Sequence, residues 1–188
     1  MKRTQFIATL FATAVMPLIT FAKNKKITER TNKGFVVKAG EGRTHGHIQL
    51  KGVNSNILDV KISGKDTDGG FAMFEQTSLS QGRGTPLHVH DKQDETFYVI
   101  EGEYYFQIGE DKFRIRAGDS IFLPMKVPHA WTQVSAKGKM IVTFQPAGKM
   151  EDFFLAVSAL SHEPTKEEMA KLFADSEMQI VGPPLKID

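Results

Sequence analysis

The sequence predicts an all-β domain followed by a short helical tail, and three observations carry that prediction. From about Gly34 to Phe154, short apolar runs alternate with turn signals; "GFVVKAG", "HIQLKG", "ILDVKISG" and "FAMFEQTSLSQG" each close on glycine. The stretch "ETFYVIEGEYYFQIGEDKFRIRAGDSIFLP" then reads as four strands separated by three glycine-containing turns. Turn signals about every 8 to 12 residues are the mark of a sandwich or barrel. Finally, no long stretch of this region has helical periodicity, whereas the tail does.

The elements follow in order. Lys2 and Arg3 give a positive start, and Phe6 to Ala22 carries no charge. Thr20-Phe21-Ala22 places small residues where a signal peptidase reads. Residues 1–22 are therefore expected to be a signal peptide cut near Ala22, with export to the periplasm or medium and no membrane span left after processing. Residues 34–150 form the expected β domain and 151–188 a helical extension. In the tail, "PAGKMEDFFLAVSAL" predicts one amphipathic helix and "PTKEEMAKLFADSEM" a second. Thr165 is a suitable N-cap with Glu168 three residues on, and Met169, Leu172 and Phe173 share a stripe. The extension is expected to pack outside the barrel or to close its mouth. "VGPPLKID" reads as extended.

Composition excludes several functions. The 188 residues suffice for one core. Without Lys2 and Arg3, the remaining Lys and Arg equal the 22 Asp and Glu. A neutral chain lacks the basic excess of a nucleic-acid binder. There is no Cys, hence no disulfide and no thiolate chemistry.

The chemistry gathers in "GRGTPLHVHDKQDETFYVIEGE", residues 82–103. Residues two apart on a strand share a face, so His88 and His90 point the same way. After a polar turn, Glu95 starts a return strand with Phe97 and Val99 on its face. If that strand pairs with the outgoing one, Glu95 arrives beside the two imidazoles. Two imidazoles and a carboxylate suit a borderline divalent ion. A further ligand is available in "AGDSIFLPMKVPHAWTQ": His129 shares a face with Trp131 and Gln133.

The spacing resembles the cupin family. Gly82, His88, His90, Glu95 and Gly102 match every defined position of the first cupin motif: Gly, five residues, His-x-His, four residues, Glu, six residues, Gly. Gly118, Pro124 and His129 match the second motif, which departs at Lys126, where the family has Gly, and at Gln133, where it has Asn. Lys126 suggests a different turn before His129. The resemblance covers about residues 70 to 150 in detail, and a looser resemblance to bacterial quercetin-dioxygenase-like cupins extends to the "GPPL" tail. It implies an antiparallel jelly-roll β-barrel with the C-terminal helices packed outside. It also implies one divalent transition ion (Fe, Mn, Ni, Co or Zn) held by His88, His90, Glu95 and His129.

Phe97, Val99, Trp131 and Gln133 are the expected substrate pocket. Phe113 and Ile115 are expected to point inward, turning Lys112, Arg114 and Arg116 outward. No arginine is then aimed at the ion, which disfavours a small dicarboxylate. An apolar, aromatic wall suits a flat phenolic, flavonol-like or diketone-like compound. By the resemblance, the expected activity is a dioxygenase using O2, with Glu95 as ligand and catalytic base. The alternatives are a metal-dependent isomerase or lyase of a sugar or keto acid, and a non-catalytic small-ligand-binding protein. A homodimer is expected by the same resemblance. His45 and His47 read as an exposed strand pair, His162 as a solvated cap, Phe153 and Phe154 as the apolar face of a packing helix, and "GKDTDGG" as a turn.

Overall fold

The computed structural model describes residues 30–52 and 54–187. The expected signal peptide lies outside them. The strands are β1 (His47–Gln49), β2 (Ile57–Ile62), β3 (Ala72–Ser78), β4 (Pro86–His90), β5 (Asp94–Glu101), β6 (Glu103–Ile108), β7 (Asp111–Arg116), β8 (Ser120–Leu123), β9 (His129–Gln133), β10 (Gly138–Gln145) and β11 (Met178–Pro184). Helices α1 (Met150–Ser158) and α2 (Lys166–Asp175) lie between β10 and β11.

Two antiparallel sheets face each other. One runs β1-β2-β3-β10-β5-β8 and the other β11-β4-β9-β6-β7. This is the jelly-roll barrel that the alternation of short runs and glycine turns predicts. The alternation itself is visible in β5, where Glu95, Phe97 and Val99 are buried while Tyr98 and Ile100 are exposed. Strands β3 and β10 follow the same rule and bury Phe74, Met140, Val142 and Phe144. Burying one such side chain contributes about 1.5–3 kcal/mol, so a one-residue slip that turned these strands over would forfeit several of those terms together.

The core has two ends. At one, the rings of Phe97, Tyr104, Phe106 and Trp131 pack edge-on or tilted, with Phe97 and Phe106 centroids 5.1 Å apart. At the other, Phe74 and Phe144 meet Phe154 of α1 at 5.1 and 6.2 Å. Thr165 caps α2 and forms the capping box with Glu168 that the spacing predicts. Both helices lie outside the two sheets, with their apolar faces turned onto this second end. The "GPPL" tail is more than an extended end, since β11 pairs with β4 as the edge strand of the second sheet.

Three expectations are corrected. Phe113 does not point into the barrel: it is 41% exposed on the edge strand β7, and only Ile115 of that pair is buried. His45 is not in a strand; its φ is 64°, and β1 begins at His47. "GKDTDGG" contains a short 3-10 helix over Gly64–Thr67, capped by Ser63 and closed by Asp68 at φ 53°.

Candidate metal centre

His88 and His90 are inward on β4, and His129 starts the neighbouring strand β9 directly opposite His88. Glu95 comes from the other sheet. Strands β4 and β5 do not pair: β5 runs between β10 and β8, and β4 between β11 and β9. The hairpin that the sequence suggests is therefore absent. The chain crosses from one sheet to the other at residues 91–93, and Glu95 faces the imidazoles across the interior.

The loop before His129 is fastened to both partners. The Lys126 amide donates to the His90 carbonyl at 2.8 Å, and the Met125 amide to Asp94 Oδ1 at 2.8 Å. These bonds place His129 beside the end of β4 and the start of β5. Lys126 takes φ 65°, the left-handed region a glycine enters freely. The turn thus has a glycine's conformation with a lysine in it, at a cost of roughly 1–2 kcal/mol; the departure from the motif has not straightened the backbone here.

One ligand atom from each of His88, His90, Glu95 and His129 lies within 4.8 Å of all the others, and all four residues are buried. The hydrogen bonds assign the tautomers. His88 Nδ1 sits 2.8 Å from the Pro86 carbonyl and His129 Nδ1 3.0 Å from the Val127 carbonyl. A carbonyl only accepts, so Nδ1 donates in both rings and Nε2 is the atom left to face the centre. His129 Nε2 is buried without a hydrogen-bond partner, and Glu95 Oε2 lies 3.3 Å from it. His90 Nε2 is 3.8 Å from the same oxygen. A buried ring nitrogen without a hydrogen-bond partner, beside a carboxylate, is an arrangement that a cation between them would satisfy.

Burial pushes the His88 imidazole down from 6.5 to about 3, aided by His129 and His90 and opposed by Glu95. Burial, then His129, does the same for His90, to about 3, with Gln93 opposing. Both rings are neutral at physiological pH, the form in which imidazole ligates a metal. The donor set fits a divalent transition ion, and the cluster can hold one.

Beside His88, His90 and Glu95 lies a cavity of about 70 Å³. Phe97 and Trp131 are in its wall, as expected. Val99 is buried further along β5 and is not among the lining residues. Gln133 also lies away from the cavity. Its carboxamide accepts from the Ser80 amide and donates to the Ser78, Ser135 and Ala136 carbonyls. Phe153 and Phe154, read as a packing face, also line the wall; sequence reasoning missed Met150 and Phe173, and missed Lys51, whose ammonium donates to the Leu160 carbonyl. The apolar stripe of α2 was a usable signal for Phe173; nothing in the sequence around Lys51 pointed to the site.

His45 and His47 are bound elsewhere, to Glu151 at 2.9 Å and Asp59 at 2.6 Å, and His162 meets Glu168 at 3.1 Å.

Residues 76–144 match the family described as Cupin domain, and this span contains all four donors. The chain thus carries a cupin domain over that span. It is 26% identical to the quercetin 2,3-dioxygenase of Bacillus subtilis over 57% of this chain and 30% of that protein. It is 36% identical to the 3-hydroxyanthranilate 3,4-dioxygenase of Bacillus cereus over 43% of this chain and 48% of that protein. The chain thus spans less than half the length of these curated relatives. Among solved structures it is similar to an RmlC-like cupin from Shewanella frigidimarina, with 25% identity, a TM-score of 0.43, and coverage of 52% of this chain and 80% of the other.

Proposed function

We propose that the protein is a metal-dependent dioxygenase acting on a small phenolic or diketone-like compound. The observation that carries this reading is the set of three imidazoles and one carboxylate, buried together within ligating reach of one ion, beside an apolar, aromatic cavity. The names of two distant relatives, both dioxygenases of ring compounds, support it.

An ion held there supplies Lewis acidity and, if redox-active, a meeting point for O2 and substrate. The chain's own residues do the rest. The Pro86 and Val127 carbonyls fix the His88 and His129 rings so that Nε2 faces the centre. Phe97 and Trp131 give the substrate a flat, dry wall. Glu95 is the group placed to take the proton of a substrate hydroxyl, since its carboxylate is at once beside the imidazoles and on the cavity wall. Fixed dipoles in a buried, largely apolar site strengthen each of these interactions.

The test is oxygen uptake with a panel of phenols and 1,3-diketones, repeated under nitrogen. Uptake that needs both the ion and Glu95 supports the proposal. Turnover under nitrogen replaces it with a lyase or isomerase, and tight binding without turnover replaces it with a binding protein. Export after cleavage near Ala22 belongs to the same proposal, and the mass of the mature N-terminus tests it.

A further inference from the structure

The cavity that faces the donors measures about 70 Å³. An apolar protein cavity that takes up benzene is about 150 Å³, and a phenol is larger than benzene. The site as folded is therefore about half the size that a ring needs.

The helices occupy the missing space. The chain leaves the first sheet at Gln145, crosses the mouth as α1 and α2, and joins the second sheet at Met178. Three helix-borne rings line the cavity, and their contacts differ. Phe154 packs on Phe74 and Phe144 of the sheet and belongs to the core. Phe153 packs on its neighbours Phe154 and Phe173. Phe173 meets a donor directly: its ring stands edge-on to His88, centroids 5.4 Å apart and planes at 88°. It is buried, so its ring takes up part of the space beside the donors.

The helix that carries Phe173 packs along β11 but buries fewer apolar side chains than α1. Helix α1 buries Met150, Phe153, Phe154 and Val157, whereas α2 buries Met169 and Phe173. Its polar ties are surface ones: Lys149 Nζ to the Asp175 carbonyl at 2.9 Å, and His162 to Glu168. Elements with few buried apolar contacts open at the lowest cost.

We propose that Phe173 determines the size of ligand the metal centre accepts. With its ring seated, ligands of a few atoms reach the donors; a ring-bearing substrate enters when Phe173 and α2 swing away from His88. This deepens the proposed function and rests on its metal centre, though not on the reaction being an oxygenation.

The test uses cobalt(II)-loaded protein, its visible spectrum, and two probes, azide and catechol, mixed rapidly. In the wild-type protein, the azide rate should rise linearly with concentration, while the catechol rate should level off at the opening rate. Phe173→Ala should remove the levelling and tighten catechol by about tenfold or more, the penalty carried by a competent state populated at about 10% or less. Azide binding should be unchanged, which also reports that the variant is folded. Phe173→Leu, a milder truncation, should fall between the two. Equal catechol kinetics in wild type and both variants, with azide bound normally, would overturn the role of Phe173 and leave the metal centre standing. No spectral response to azide in any of the proteins would overturn the metal centre and the size limit together.

Discussion

Two of the buried polar clusters among the described residues are built on opposite terms. Around Gln133, donors and acceptors match. The Gln133 carboxamide serves the backbone of Ser78, Ser80, Ser135 and Ala136, and the Tyr104 hydroxyl and the Gln76 amide both donate to Ser78 Oγ. Around His129 the match fails: three imidazoles and the Glu95 carboxylate crowd together, and His129 Nε2 has no hydrogen-bond partner. A buried polar group without a partner costs about 1–3 kcal/mol. The first cluster thus looks after itself and holds the fold together. The second stores a cost that an ion can remove. Burial and polarity are common to both; the balance of donors and acceptors separates structure from function.

Substitutions in the two clusters should part this pair cleanly. His129→Ala should lower metal affinity by more than about 100-fold, beyond the 10–100-fold typical of an outer hydrogen-bond partner. It should cost the metal-free protein less stability than Gln133→Ala, because the unpaired Nε2 leaves with the ring and only the Val127 carbonyl loses a donor. Titration of the apo-protein with zinc or cobalt, beside thermal melts, checks both halves. Gln133→Ala should do the reverse. It leaves the Ser80 amide and several carbonyls unpaired and should cost about 2–3 kcal/mol in denaturant melts, with unchanged metal affinity in the folded fraction.

Acid sharpens the same contrast. His88 and His90 are held at about 3 in the folded chain, below their ordinary 6.5. Between these values the unfolded chain binds more protons than the folded one, so the metal-free protein loses stability as pH falls below 6.5, and the loss stops growing near 3. The first unit of acidification should cost on the order of 1 kcal/mol per imidazole. Melts of a His88→Ala, His90→Ala variant should lack this slope. The smallest expected effect is in the matched cluster. Burial pushes the Tyr104 phenol up to about 12, so it stays a neutral donor throughout. Tyr104→Phe should cost about 1 kcal/mol for its bond to Ser78, equally at pH 5 and pH 8.

The two clusters were not equally legible in the sequence. His88, His90, Glu95 and His129 stand at motif spacing, and alternation alone aims His88 and His90 the same way. Alternation gives a side chain's face but not which strand lies beside it. The pairing of β4 with β5 was therefore misread, although Glu95 reaches the imidazoles from across the barrel. The same limit applies to Gln133. Its inward direction was legible, but its distance from the cavity depends on the length of β9. Phe113 shares a face with Ile115, yet the edge position of β7 leaves it in solvent. Phe173 lies far along the chain from the motifs, and a helical stripe shows that it is buried without showing what it is buried against.

The account stands most directly on metal content. Protein purified without added metal should carry one divalent transition ion per chain by elemental analysis, or take one up after dialysis against iron, manganese, cobalt, nickel or zinc. A His88→Ala, His129→Ala variant that melts cooperatively should carry none. A wild-type chain that refuses every one of these ions, or a double variant that keeps its ion, would contradict the account.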